Sequence, residues 1–152
     1  MKKGAIISEC GKYRYRLWRI WDESKPKVMF IMLNPSLADA ERDDPTIRRC
    51  INFAISWGFG GIYVGNIHPY RSTDPRKLKK VMNTYGKNNV VHIVSMLDKC
   101  QVVVCAWGNN ERPPEYFKEL SKLHYLELSK NGTPKHPLYL KADLKPKKYR
   151  LI

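Results

Sequence analysis

Val28-Met-Phe-Ile-Met-Leu-Asn-Pro-Ser36 is an unbroken apolar run that stops abruptly at Asn34-Pro35-Ser36. Such a run reads as a strand buried on both faces, as in a parallel sheet covered by helices. Asn34 then stands at the strand's C-terminal end, where open α/β sheets bind their ligands. Two further runs follow the same pattern: Gly61 to Asn66 also closes on an asparagine, and Gln101 to Ala106 runs straight into Trp107-Gly108-Asn109.

Helical signals lie between them. Asp44-Pro45-Thr46-Ile47 opens a helix with Asp44 as N-cap and Pro45 in its first turn, and Gly58 stops it. A lysine-rich helix is expected from about Pro75. Another covers Asn88 to Lys99, with Val91, Val94 and Leu97 spaced as one buried stripe. Pro113 to Lys122 reads as a helix, His124 to Leu128 as the fourth strand, and the chain ends in a lysine-rich tail. Alternating strands and helices imply parallel pairing through right-handed crossovers. The expected fold is a single α/β domain over residues 1–152: three layers, with a four-stranded, mainly parallel sheet flanked by helices and preceded by an N-terminal β-hairpin.

That hairpin pairs Ala5 to Glu9 with the stretch from Gly11 to Trp21. In the second arm Tyr13, Tyr15 and Leu17 alternate with Arg14, Arg16 and Trp18. Exposed arginines interleaved with aromatics can hold phosphates and stack bases, and an ordinary edge strand with a solvated arginine face fits the same pattern.

The chain carries 28 Lys and Arg against 14 Asp and Glu, a formal charge of +14. That field points to a polyanionic partner, most simply DNA or RNA, although lysine excess also keeps small proteins soluble. Met1-Lys2-Lys3 leads into no apolar segment of signal-peptide type, and no run approaches the length of a membrane span. A cytoplasmic monomer that does not engage membranes is expected. Cys10, Cys50, Cys100 and Cys105 form no metal-spaced pair, so no metal and no cofactor is expected.

Parallel strands bring Asn34, Asn66, Trp107-Gly108-Asn109 and His136 to one edge of the sheet. Carboxamides can read the edge of a nucleobase, and a histidine aimed at a base carbonyl can stabilise the charge that grows there as the base departs. Bland roles stand beside these: Asn34 closing a turn, Asp44 capping a helix, Trp107 packing, His136 shaping its loop.

In order, Leu33-Asn-Pro-Ser36, Val64-Gly-Asn-Ile67 with Arg71-Ser-Thr-Asp-Pro75, Ala106-Trp-Gly-Asn109 and His136-Pro-Leu-Tyr-Leu140 resemble the motif set of the uracil-DNA glycosylase superfamily. More closely, the chain resembles a bacterial and phage family with Asn-Pro-Ser, Asp-Asp-Pro-Thr and His-Pro-Leu-Tyr, a distant branch of that superfamily. The resemblance implies that Asn34, flanked by Pro35 and Ser36, orients the attacking water and that Asn66 pairs with a pyrimidine edge. It also implies that His136 donates to the base carbonyl and that Leu140, or Tyr139, wedges into the duplex as a nucleotide flips. Ala38 to Thr46 replaces the glycine-rich segment and stacking phenylalanine usual there. Its acids include Asp39, Asp43 and Asp44, the last being the preferred candidate for a true base. The expected activity is excision or recognition of a pyrimidine or modified base in DNA by a base-flipping glycosylase. The alternatives are a non-catalytic nucleotide-binding module and a nucleosidase or transferase acting on free nucleotides.

Overall fold

The computed structural model describes residues 1–74, 87–108 and 111–151. Its strands are β1 (Lys2–Ile7), β2 (Arg14–Ile20), β3 (Lys27–Met32), β4 (Gly61–Asn66), β5 (Val102–Cys105), β6 (Leu123–Tyr125) and β7 (Lys147–Lys148). The described α-helices are α1 (Pro45–Ser56) and α2 (Lys87–Leu97). The lysine-rich helix expected from Pro75 lies outside the described residues.

All seven strands join one sheet in the order β1-β2-β4-β3-β5-β6-β7. The β4–β3, β3–β5 and β5–β6 ladders are parallel, whereas β1–β2, β2–β4 and β6–β7 are antiparallel. The four-stranded, mainly parallel three-layer sheet expected from sequence is therefore incorrect. The sheet is mixed, nearly twice as wide as expected, and carries only the two α-helices among the described residues. The reason lies in what each strand faces. β3, β4 and β5 are apolar on both faces and read directly as buried parallel strands. The added strands are amphipathic or basic, so β2 reads as half of a separate hairpin and β7 as tail.

Alternation along β3 divides the core. Val28, Phe30 and Met32 face α1 with Ile47, Cys50 and Phe53, while Met29 and Ile31 face α2 with Ile93 and Met96. Gly65 permits the close approach of α2, because a Cβ there would stand 2.6 Å from Ile93 Cδ1. The buried stripe of α2 is Asn89, Ile93, Met96 and Leu97, whereas the expected Val91 and Val94 are 66% and 43% exposed. Asn89 takes the inward position because its amide donates to the Asn66 and Ile67 carbonyls at 2.7 and 3.3 Å, tying α2 to the end of β4. The helix expected over Pro113 to Lys122 is a short 3-10 helix, Glu115–Glu119. Beyond it Leu120 is extended and Lys122 takes φ 69°.

The face assignment of β2 also differs from expectation. Ile6 pairs with Arg16 and Ile7 with Arg14, so the ladder shifts and Tyr15 is the extra residue. A bulge of this kind re-aims the side chain beside it. Arg14 consequently leaves the side of Arg16 and Trp18 and is buried, as are Leu17 and Arg19.

Candidate functional site

Parallel pairing places the C-terminal ends of three strands together. Met32 of β3 lies beside Asn66 of β4, and the Ala106 N–H following β5 donates to Ile31 O at 2.8 Å. Beyond this edge opens a cleft of about 420 Å³, within the range of small-molecule sites. Its wall includes Asn34, Pro35, Ser36, Asp44, Asn66, Trp107, Gly108 and His136. Asn109 lies outside the described residues. Leu140 and Tyr139 are not in the wall.

Asn66 is 2% exposed, and its side-chain orientation is fixed by Arg14, whose Nη2 donates to Asn66 Oδ1 at 3.3 Å. A guanidinium has only donors, so the carbonyl of the amide must face it. The Nδ2 group is buried without a partner among the described residues. A buried donor left in that state costs about 1–3 kcal/mol, which an acceptor in the cleft would recover.

His136 caps the 3-10 helix Pro137–Tyr139, its Nδ1 accepting from Leu138 N at 3.2 Å. That bond assigns the neutral ring its proton on Nε2. Burial lowers the His136 pKa, with the Asp44 charge opposing, so the ring is held toward the neutral form. Nε2 has no protein partner among the described residues and is a second donor.

Asn34 has the opposite polarity. Its Nδ2 donates to Ser72 O at 2.8 Å and Pro35 O at 3.1 Å, which leaves Oδ1 as an acceptor. The loop holding it is tied by Ser72 N to Pro35 O and by Arg71 Nε to Ser36 O.

Asp44 is a cap. Oδ1 accepts from Ile47 N at 2.9 Å, and Oδ2 accepts from Ala38 N at 3.3 Å and Ser36 Oγ at 3.4 Å. With both oxygens so engaged, geometry argues against the expected role as base. The rest of the acidic segment is similarly occupied. Asp39 Oδ1 accepts from the Glu41 and Arg42 amides, and Asp43 pairs with the buried Arg19 at 2.8 Å. Arg19 of β2 pairs with Asp43, Arg14 of β2 lies within the field of Asp44, and Arg42 and Arg71 stand near Asp39.

Trp107 contributes a wall but is only 2% exposed, packed edge-on against Phe117 at 5.7 Å. Gly108 follows at φ 87°, the left-handed region that favours glycine, with its N–H donating to Pro134 O. Leu140 is corrected: it is 9% exposed within the α1 core, and its carbonyl accepts from Arg49, so it does not project as a wedge. Tyr139 is 91% exposed.

Arg14 is the main residue that sequence reading missed. It is 3% exposed, donates to Ala38 O as well as to Asn66, and lines the cleft. Burial brings its pKa down to about 10, with Asp44 acting in the opposite sense. The only signal for it is an arginine beside a strand irregularity, which period-two counting hides.

No curated protein and no solved structure matches the chain. Residues 14–138, which include all the cleft residues discussed here, match the family described as "Protein of unknown function (DUF1643)", and the chain belongs to that family.

Proposed function

We propose that the cleft accepts a single nucleobase displaced from a nucleic-acid strand and that the protein hydrolyses the base's N-glycosidic bond. One observation carries the reading. Two fixed donors, Asn66 Nδ2 and His136 Nε2, and one fixed acceptor, Asn34 Oδ1, belong to residues that line a single cleft and have no protein partner for those atoms among the described residues.

The chemistry follows from polarity. As the C1′–N bond breaks, its electron pair passes into the base and charge builds on a ring carbonyl. Neutral N–H donors already oriented toward that carbonyl stabilise the charge without reorganising. Asn34 Oδ1 accepts from a water whose oxygen forms the new bond to C1′. The water proton balances the charge of the departing base, so the products are a free base and an abasic sugar with a C1′ hydroxyl. The formal charge of +14 favours encounter with DNA.

The test is incubation with oligonucleotides carrying uracil, mismatched or modified pyrimidines, with abasic sites read as alkali-labile breaks. Breaks are expected with at least one class, and His136→Ala is expected to lower the rate by about 10²-fold. Normal binding without abasic sites across the panel would overturn the enzymatic reading. A second reading, a non-catalytic nucleotide-binding module, is favoured by the engagement of both Asp44 oxygens, since Asn34 is no proton acceptor. Strong thermal stabilisation by a free mononucleotide would select it.

A further inference from the structure

A second cavity, of about 430 Å³, lies at the opposite end of the parallel strands, at the start of β6. Lys122 and Leu123 at its edge bond β5 and the C-terminal segment: Val103 N donates to Lys122 O, and Tyr149 N to Leu123 O. Its wall carries Lys118, Lys122, Lys148, Arg150 and His124, and no Asp or Glu among the described residues belongs to it. Lys118 pairs with Glu115 nearby at 3.2 Å, but Lys148 and Arg150 have no acidic partner among the described residues.

The tail displays these two cations by strand alternation. Tyr149 and Leu151 pack inward against the α2-side core, so Lys148 and Arg150 turn outward and are exposed. The cavity's floor is aromatic, formed by Phe117 and Tyr149. Phe117 is 1% exposed, and the Tyr149 hydroxyl is anchored on Gly132 O at 3.2 Å. Both rings pack on Trp107, at 5.7 and 6.3 Å, and Trp107 also lines the cleft. One aromatic cluster of Trp107, Phe117 and Tyr149 thus contributes to the wall of the cleft and to the wall of a cavity ringed by cations. A concave, low-dielectric floor with charge of one sign at its rim concentrates anions.

We propose that this second cavity is a phosphate site that holds the sugar-phosphate backbone of the strand whose base enters the cleft. Its identity as a nucleic-acid contact rests on the reading of the cleft, whereas its chemistry, a phosphate held by Lys148, Arg150 and Lys122, does not.

The experiment measures affinity of the full chain for a short single-stranded oligonucleotide across a salt series, for wild type, Lys148→Ala/Arg150→Ala and Asn66→Asp. Each phosphate contact to a single strand adds about 0.7 to the slope of log K against log salt. The double variant should lower that slope by about 0.7, the loss of one phosphate contact, with unchanged circular dichroism because Tyr149 and Leu151 are retained. An unchanged slope and affinity would overturn the proposal. Asn66→Asp should keep most of the slope while losing excision. If wild type excises no base and the double variant still flattens the slope, the phosphate site stands and the cleft reading falls. Inorganic phosphate at constant ionic strength should displace the strand only weakly. Should phosphate shift the Tyr149 and Lys148 resonances while the oligonucleotide leaves them unmoved, the backbone assignment is overturned in favour of a free phosphate.

Discussion

Replacing Asn66 by Asp separates what holds the fold from what the cleft offers a ligand. Oδ1 already faces Arg14 Nη2 at 3.3 Å, so the aspartate keeps that contact and makes it an ion pair. Both groups are buried, with Arg14 3% and Asn66 2% exposed, and desolvation offsets most of the Coulombic gain. Burial already brings the Arg14 pKa down to about 10, against an ordinary value of 12.5, so its charge is held in the folded state at a cost of roughly 3 kcal/mol. A facing carboxylate relieves part of that cost, and its own desolvation takes part of it back. The net change in stability should be within about 2 kcal/mol, which for a chain of this size is a shift of roughly 4–8 °C in Tm at most. In the cleft the change is large, because the unpartnered Nδ2 donor becomes an oxygen that repels a base carbonyl. Loss of one such donor lowers rates by about 10²–10³-fold. Thermal melts followed by circular dichroism, paired with single-turnover excision assays, read both quantities. A folded Asn66→Asp protein that keeps its rate within a few fold would refute the assignment of Asn66 as donor.

Asp44→Ala removes the α1 cap and the anion facing Arg14, and should cost about 2–4 kcal/mol in urea unfolding, of which about 1 belongs to the cap. Asp44→Asn keeps the cap oxygen and should lose less than half of that while retaining activity; equal damage from both would show that the charge dominates. Trp107→Ala should cost about 3–5 kcal/mol, because the ring is packed in the core as well as against the cleft, and a loss below 1 would contradict that packing. For His136 the folded pKa lies below its ordinary value, so the folded protein resists protonation more than the unfolded chain does. Stability tied to the neutral ring is complete above that ordinary value of 6.5 and falls as pH drops below it. His136→Gln should remove that part of the acid dependence, and urea midpoints that fall in parallel for both proteins would contradict it.

The centre of the fold was legible because Val28 to Met32, Gly61 to Asn66 and Val102 to Cys105 are apolar on both faces, a pattern that only a doubly covered strand needs. Their asparagine and Trp-Gly ends gave the cleft its wall. The rest was hidden for physical reasons. β1, β2 and β7 face polar surroundings on one side, and nothing local tells an amphipathic strand which neighbour it joins. Leu140 is indistinguishable in sequence from an exposed leucine, and its burial against α1 is a tertiary fact. The tie between Asn89 and β4 reads in sequence as a solvated helix start. Arg14 and Arg19 carried the most misleading signal: arginines on a strand suggest phosphate contacts, yet here they neutralise Asp43 and fix Asn66 from within.

The most direct measurement of the central claim is the side-chain amide resonance of Asn66, assigned by comparison with Asn66→Asp, during titration with free pyrimidine bases. An acceptor taken into the cleft should shift the Nδ2 protons downfield and move the His136 Nε2 signal at the same ligand concentration. If both signals stay fixed while a base binds elsewhere, or if no base binds at all, the cleft does not read a nucleobase through these two donors.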